Sequence, residues 1–233
     1  MEAIFKYFQE SWSWSLEYYP ILIQGTITTI ELTLASAVLA LIVSFTVGLS
    51  RFSRLRAVRV AAVIYLEFFR GTSAIVQMFF MFFVLPLFGV TFPPLVAGIL
   101  ACGLNLGSYG SEVVRSAILS VGRGQHEAAL ALNYSNYQRF RYVLIPQAIP
   151  VMIPTFGNLL IELLKLTAVA SLITISDLTF MSQIIRVQTA LTLEPFLVIL
   201  VIYFIIASVL VWFTKLAERK FSKGRHTAAA KEV

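Results

Sequence analysis

Charge is scarce in this chain, and so are cysteine and histidine. Only 13% of its 233 residues are charged, against about a quarter in a soluble domain, and 58% are hydrophobic. A water-soluble globule is excluded. The one cysteine, Cys102, lies in an apolar stretch, so neither a disulfide framework nor a thiolate metal site can form within the chain. His126 and His226 stand far apart without H-x-x-x-H spacing, so no metal site is expected. An intramembrane enzyme needs convergent Asp, Glu, His or Ser groups at one depth, and the apolar stretches offer only Glu162 with Lys165. No catalytic residue is assigned.

What the chain does have is long uncharged runs, at 32–50, 71–111, 142–161 and 195–214. A spanning helix needs about 20 mostly apolar residues to cross a hydrocarbon layer about 30 Å thick. The run 71–111 is long enough for two, split at Pro86, Gly89, Pro93 and Pro94. The fold class expected is therefore an all-α membrane protein with five transmembrane helices, at 21–49, 73–88, 95–114, 151–170 and 196–213. The first is no cleavable signal peptide, because it is too long and follows a polar-aromatic leader without a basic n-region.

Basic residues alternate from loop to loop. With the amino terminus outside, the inner segments carry Arg51, Arg54, Arg56, Arg59 and Arg70; then Arg115, Arg123, Arg139 and Arg141; then Lys215, Arg219, Lys220, Lys223, Arg225 and Lys231. Lys6 and Arg186 fall outside, and Lys165 lies within a span. The positive-inside rule gives the N-terminus outside and the C-terminus cytoplasmic. The excess of 18 basic over 12 acidic residues thus reports topology, and no nucleic acid partner is expected.

Three regions follow. Residues 1–20 form an outer interfacial segment, with Trp12, Trp14, Tyr18 and Tyr19 of the kind found at headgroup level. Residues 21–214 form the transmembrane domain, and 215–233 a cytoplasmic basic tail, frayed from Ser222. Within the domain, 51–70 reads either as an amphipathic helix on the inner surface or as the inner end of a tilted second span. The Met78, Met81 and Phe79–Phe83 run is lipid-facing and core surface, not a cofactor box.

The inner loop 115–145 is too structured to be a mere connector. Residues 125–132 are rich in the helix formers Ala and Leu, with Glu127 expected in the first turn, where a negative charge is favoured. Asn133 can end that helix in the left-handed conformation, and Ser135 with Gln138 forms a capping box for the next. So short a helix is marginal alone. Its apolar face, with Ala128, Ala129, Leu132 and Tyr134, must pack on its own membrane domain or on a second protein, and composition does not choose between them. Glu127 can pair with Arg123 or Arg139 across the loop, or serve only as a first-turn stabiliser.

Intramembrane polar groups mark paths or partners. Glu162 and Lys165, three apart, share a helical face. They read as a polar lining for a zwitterionic cargo, together with Gln77, Asn105 and Asn158, or more simply as an internal salt bridge with the amides tying helices together. Glu112 and Arg115 have the same spacing and read as an interfacial ion pair. Pro146, Pro150 and Pro154 fit a helix start and kinks.

Several segments in order resemble one family. Gly124-Gln125-His126-Glu127-Ala128-Ala129, with Ile145-Pro146-Gln147-Ala148, is similar to the EAA signature of the permease subunits of ABC importers of the polar amino acid branch. Gln24-Gly25 to Thr29, Arg70-Gly71-Thr72 with Val76-Gln77, Tyr109 through Glu112 to Arg115, and Leu163-Leu164-Lys165 through Thr167 to Ser171 resemble further elements of it. The departures are Asn133 for the usual Gly, Ser73 for Pro and Ala168 for Ser.

The resemblance implies a type I importer permease fold in a bacterial inner membrane, with a cytoplasmic coupling helix between transmembrane helices 3 and 4. It implies an ABC ATPase subunit, a second permease subunit, identical or paralogous, and an extracytoplasmic substrate-binding protein, besides membrane lipid. Glu127, Ala128, Ala129 and Asn133, flanked by Ser135 and Arg139, are the residues expected to couple to the ATPase. No cofactor is expected on this chain. It has no G-x-x-x-x-G-K-[ST] phosphate cradle, so ATP and Mg belong to the partner. The cargo implied is a polar amino acid or derivative; 171–180 also resembles permeases for ectoine-type compatible solutes. An ion-coupled secondary transporter would show paired repeats, which are not visible here.

Overall fold

The computed structural model describes residues 14–222, with side chains from Glu17 to Phe221. Most of the expected interfacial leader, and the tail with Lys223, Arg225 and Lys231, lie outside the described residues. Among the described residues every regular element is helical.

Helix α1, Trp14–Ser50, is the first long apolar helix. Thr26, Thr29 and Thr33 bond back to the carbonyls four residues earlier at 2.7, 2.9 and 2.7 Å. The hydroxyls are thereby satisfied inside the helix, which is how a span tolerates them. Helix α2, Arg56–Gly71, breaks at Thr72. Helix α3, Ala74–Phe79, runs on through a π turn, Phe80–Val84, and a 3-10 turn, Leu85–Phe88. The pair α2 and α3 with its extension is bent by 101°.

Helix α4 is Pro94–Leu119. Helix α5, Arg123–Ala131, and the single turn α6, Asn136–Gln138, make up the loop, followed by a π turn, Arg139–Leu144. Helix α7, Ile145–Thr167, ends in a 3-10 turn, Ala168–Ile173. Helices α8, Leu178–Thr189, and α9, Leu193–Ser222, complete the chain. Three helices are long and apolar enough to cross a membrane, Glu17–Ser50, Asn136–Ile173 and Leu193–Phe221, and the bent pair is a fourth if counted as one span. Helix α4 is long enough but more polar.

Both π turns stop just before a proline, Pro86 or Pro146. In each, the residue before the proline donates five residues back, Leu85 to Phe80 and Ile145 to Phe140. A proline has no N–H for the carbonyl four residues earlier, and its ring crowds that carbonyl. Widening the preceding turn relieves the conflict, and π turns are a known outcome of such local insertions. Pro150 and Pro154 are then carried inside α7.

The chain divides into two compact units. The first comprises Met1–Ala37, Ala74–Cys102 and Leu163–Ser208. Its core is Leu22, Leu178, Ile185 and Ile199. Asp177, fully buried, caps α8 by accepting from the Phe180 and Thr179 amides at 2.9 and 3.2 Å. Tyr203 on α9 donates to the same carboxylate at 3.4 Å, and the Leu178 amide bonds the Thr29 hydroxyl of α1 at 3.0 Å. The Asp177 carboxylate thus ties the start of α8 to α9, and the Leu178 amide ties it to α1. Asp177→Ala removes the cap and the tie to α9, leaving the Tyr203 hydroxyl its contact with the Thr179 hydroxyl at 3.2 Å. It is expected to cost roughly 1–2 kcal/mol, read as a lower midpoint of thermal unfolding in detergent.

The second unit comprises Val38–Ser73, Gly103–Glu162 and Val209–Val233. Here α1 and α4 touch through small residues. A Cβ at Gly107 would collide with Val43, and one at Gly110 with the Ser44 side chain. Ser44, fully buried, donates to the carbonyls of Ala40 and Gly107 at 2.6 and 3.3 Å. Small residues let helix backbones approach where lipid supplies no hydrophobic drive. Below this contact a core of Val114, Ala117, Ile118, Leu144, Ala148 and Met152 joins α4 to α7, with Phe52 edge-on to Phe140 at 5.4 Å.

Helix α2 packs along α4. The Tyr65 hydroxyl donates to the Leu104 carbonyl at 2.6 Å, and the Asn105 amide donates to the Phe69 carbonyl at 2.9 Å. Leu104 and Asn105 lie near the middle of α4, so α2 reaches mid-helix. These two contacts hold α2 against the middle of α4.

Candidate functional site

Within the loop between α4 and α7, Gly122 occupies the N-cap position of α5. The helix thus begins two residues before the expected start, which puts Glu127 in its second turn. The first-turn stabilising role is therefore corrected: macrodipole effects fall off within the first turn. The expected ion pairs of Glu127 are corrected too. Among the described residues, ion pairs form only at Glu112, with Arg51 and with Arg115, the latter at 3.6 Å. Glu127, Ala128 and Arg123 are exposed.

The turn that closes α5 has the bonds of a Schellman motif. The Asn133 amide donates to Leu130 at 2.9 Å and the Tyr134 amide to Ala129 at 3.0 Å, with Asn133 left-handed at φ 56°. Both bonds use carbonyls the helix end would leave unpaired. Ser135 and Gln138 then form the expected capping box, at 2.8 Å and 3.3 Å. Arg139 bonds Asn136 at 2.8 Å instead of an acid. Gln147 on α7 reaches Gln125 on α5 at 3.0 Å and pins the short helix.

That pinning buries only part of the apolar surface. Ala129 is 2% exposed, but Leu130, Leu132, Tyr134 and Tyr137 are 57%, 68%, 37% and 73% exposed. Leu130 and Tyr137 were not picked out from the sequence. Their signal was their place on either side of a locked turn, where no residue of the same loop is left to cover them.

A second set of polar residues runs along α7. Thr155, Asn158, Glu162 and Lys165 are all exposed and recur at three- and four-residue intervals, hence on one face. Neither Glu162 nor Lys165 joins an ion pair among the described residues, so the internal salt bridge expected between them is not formed. Asn105, buried, holds the Phe69 carbonyl, and Gln77 is buried in the first unit. Those two amides sit in packed surroundings, whereas Asn158 shares the open stripe.

Comparison with known proteins places this arrangement. Residues 36–223 match the model of the binding-protein-dependent transport system inner membrane component family. A probable amino-acid ABC transporter permease protein, y4tF, of Sinorhizobium fredii is 42% identical over 215 residues, 90% of each chain. The L-cystine transport system permease protein TcyB of Bacillus subtilis is 35% identical over 210 residues, 88% of each. The crystal structure of an amino acid ABC transporter with histidines superposes with a TM-score of 0.82 at 34% identity, covering 88% of this chain and 96% of that one.

The fold is that of the type I ABC importer permeases, and members of the family work in general with an ATPase and a binding protein. With its apolar helices and family match over most of its length, the chain belongs to the binding-protein-dependent transport system inner membrane components, as a multi-pass, non-catalytic permease subunit of an ABC importer.

Proposed function

We propose that this permease carries a polar amino acid, delivered by an extracytoplasmic binding protein, through a path formed with a second permease subunit, a copy or a paralogue. Its five spans are α1, the bent α2–α3 pair, α4, α7 and α9, with the N-terminus outside and α5 in the cytoplasm. Helix α4 qualifies as a span despite its polar residues because these face protein: Asn105 is 6% exposed, and Ser108 and Ser111 are fully buried. The observation that carries the coupling role is the locked loop with its uncovered Leu130, Leu132, Tyr134 and Tyr137. A shape fixed by caps and left partly apolar is a handle for another protein.

The ATPase would grip α5 through these side chains, with Glu127, Ala128, Ala129 and Asn133 at the contact and Ser135 and Arg139 shaping its flank. ATP and Mg would sit on that partner. Closure of two ATPases would draw two such handles together and swing the membrane helices. The stripe of Asn158, Glu162 and Lys165, too polar to face lipid, would line the path. The amino-acid relatives support this cargo class; they lend no support to the compatible-solute reading.

The test is reconstitution into proteoliposomes with the cognate ATPase and binding protein, using L-glutamine, L-cystine and L-histidine as probes. ATP-dependent uptake of at least one is expected. Uptake by the permease alone under an ion gradient, with no dependence on ATP, would overturn the importer reading for this chain.

A further inference from the structure

We propose that Arg70, backed by the ring of Tyr109, binds the carboxylate of the cargo within the membrane; this rests on the amino acid importer reading above. The Arg70 guanidinium carbon lies 5.5 Å from the Tyr109 ring centroid. Both residues belong to the second unit, and both are exposed, Tyr109 by 37%.

Depth comes first. Helix α4 has 26 residues, roughly 39 Å at about 1.5 Å each, which puts Tyr109 about 22 Å from one end and about 15 Å from the other. A span of that length holds Tyr109, and Arg70 beside it, inside a hydrocarbon layer of about 30 Å. An arginine there is costly unless it faces protein or water.

The helix face settles which way Arg70 looks. Ala62 and Leu66, the buried residues of α2, precede it by eight and four positions and lie on the same side. Ile64 and Phe68, 64% and 59% exposed, occupy the far side. Arg70 therefore projects beside the packed face, on a flank it shares with the exposed Arg59 and with Val63, which is 41% exposed. Asn105 fixes the end of α2 by holding the Phe69 carbonyl, so the position of the Arg70 backbone is not left to chance.

No acid neutralises it. Among the described residues the ion pairs are those of Glu112 with Arg51 and Arg115, and Glu67, one turn before Arg70, takes part in none. A guanidinium held over an aromatic ring by a cation–π contact still has N–H donors for a two-pronged bond to a carboxylate. The carboxylate is the group all α-amino acids share, so this contact sets the class of cargo and leaves side-chain choice to other residues.

Binding is measured on the purified permease–ATPase complex without the binding protein, so that only the membrane site is read. The probes are L-glutamine, L-histidine and L-cystine, each against its decarboxylated amine: 4-aminobutanamide, histamine and cystamine. Wild type is expected to prefer the transported amino acid over its amine by roughly tenfold or more, the scale of a lost charge-assisted contact. Arg70→Gln should abolish that preference and Arg70→Lys keep part of it. A structural role would weaken both probes alike. In a Cys102→Ala background, Arg70→Cys should react with a water-soluble thiol reagent and be protected by the amino acid.

Persistence of the preference in Arg70→Gln, equal binding of both probes by wild type, or an Arg70→Cys thiol closed to the reagent would overturn this inference alone. Absence of ATP-driven uptake of every probe by the full wild-type system would overturn the amino acid importer reading, and this assignment with it.

Discussion

Exchanging Glu127 for lysine is expected to cut ATP-driven uptake by roughly tenfold or more, the cost of a mispaired charge at an interface, while the variant reaches the membrane at the wild-type level. The reason lies in what Glu127 does not do. It sits in the second turn of α5, exposed, with no ion pair inside its own chain among the described residues. A lysine there disturbs no cap, since the Schellman bonds at Leu130 and Ala129 and the Ser135–Gln138 box use other groups. Any large loss must therefore come from a surface that meets Glu127 from outside. Membrane level by immunoblot, ATPase activity and uptake are read on the same proteoliposomes. Wild-type uptake by the variant would remove Glu127 from the coupling contact.

Leucine at Gly110 is expected to do the opposite, destroying the fold and sparing no function. The added side chain would have to occupy the space of Ser44, whose hydroxyl holds two backbone carbonyls, and would press on Phe156. Phe156 in turn stacks on Phe45 at 6.2 Å. With neighbours on both sides already packed, the chain can relieve the clash only by parting α1 from α4. Overpacking of this kind costs about 1–3 kcal/mol and sometimes more, and here it adds a branched side chain at a backbone contact. Gel filtration in mild detergent should show loss of the monodisperse peak, and Gly110→Ala should fall between the variant and wild type. A well-folded Gly110→Leu protein would mean that α1 and α4 are not held by this contact.

Much of this architecture is written in local pattern. The long apolar runs marked where the long helices lie, and the loop turn was legible because its chemistry is short-range: Asn133 tolerates the left-handed conformation, and Ser135 lies three residues from Gln138. Failures occurred where distant groups decide the outcome. Spacing alone allowed an ion pair between Glu162 and Lys165 that does not form, whereas Glu112 draws Arg51 from the turn after α1, a contact no periodicity records. Helix α8 was missed because it is short and carries Arg186, so it makes no apolar run; its one local mark was Asp177, an N-cap residue. The start of α5 was misplaced by two residues because a glycine, weak as a cap signal, took the position. The nearness of Arg70 to Tyr109 was not legible either, since it depends on the contacts of Tyr65 and Asn105 that hold α2 against α4.

The polarity of α4 bears on how the protein is made. A nascent segment carrying Asn105, Ser108, Ser111, Glu112 and Arg115 partitions poorly into lipid by itself. Helix α1, more apolar and synthesised earlier, offers it Ser44 and a flank shaped for its glycines. Insertion of α4 is therefore expected to lean on α1, already made, so that the ribosome's order of delivery becomes part of the folding code.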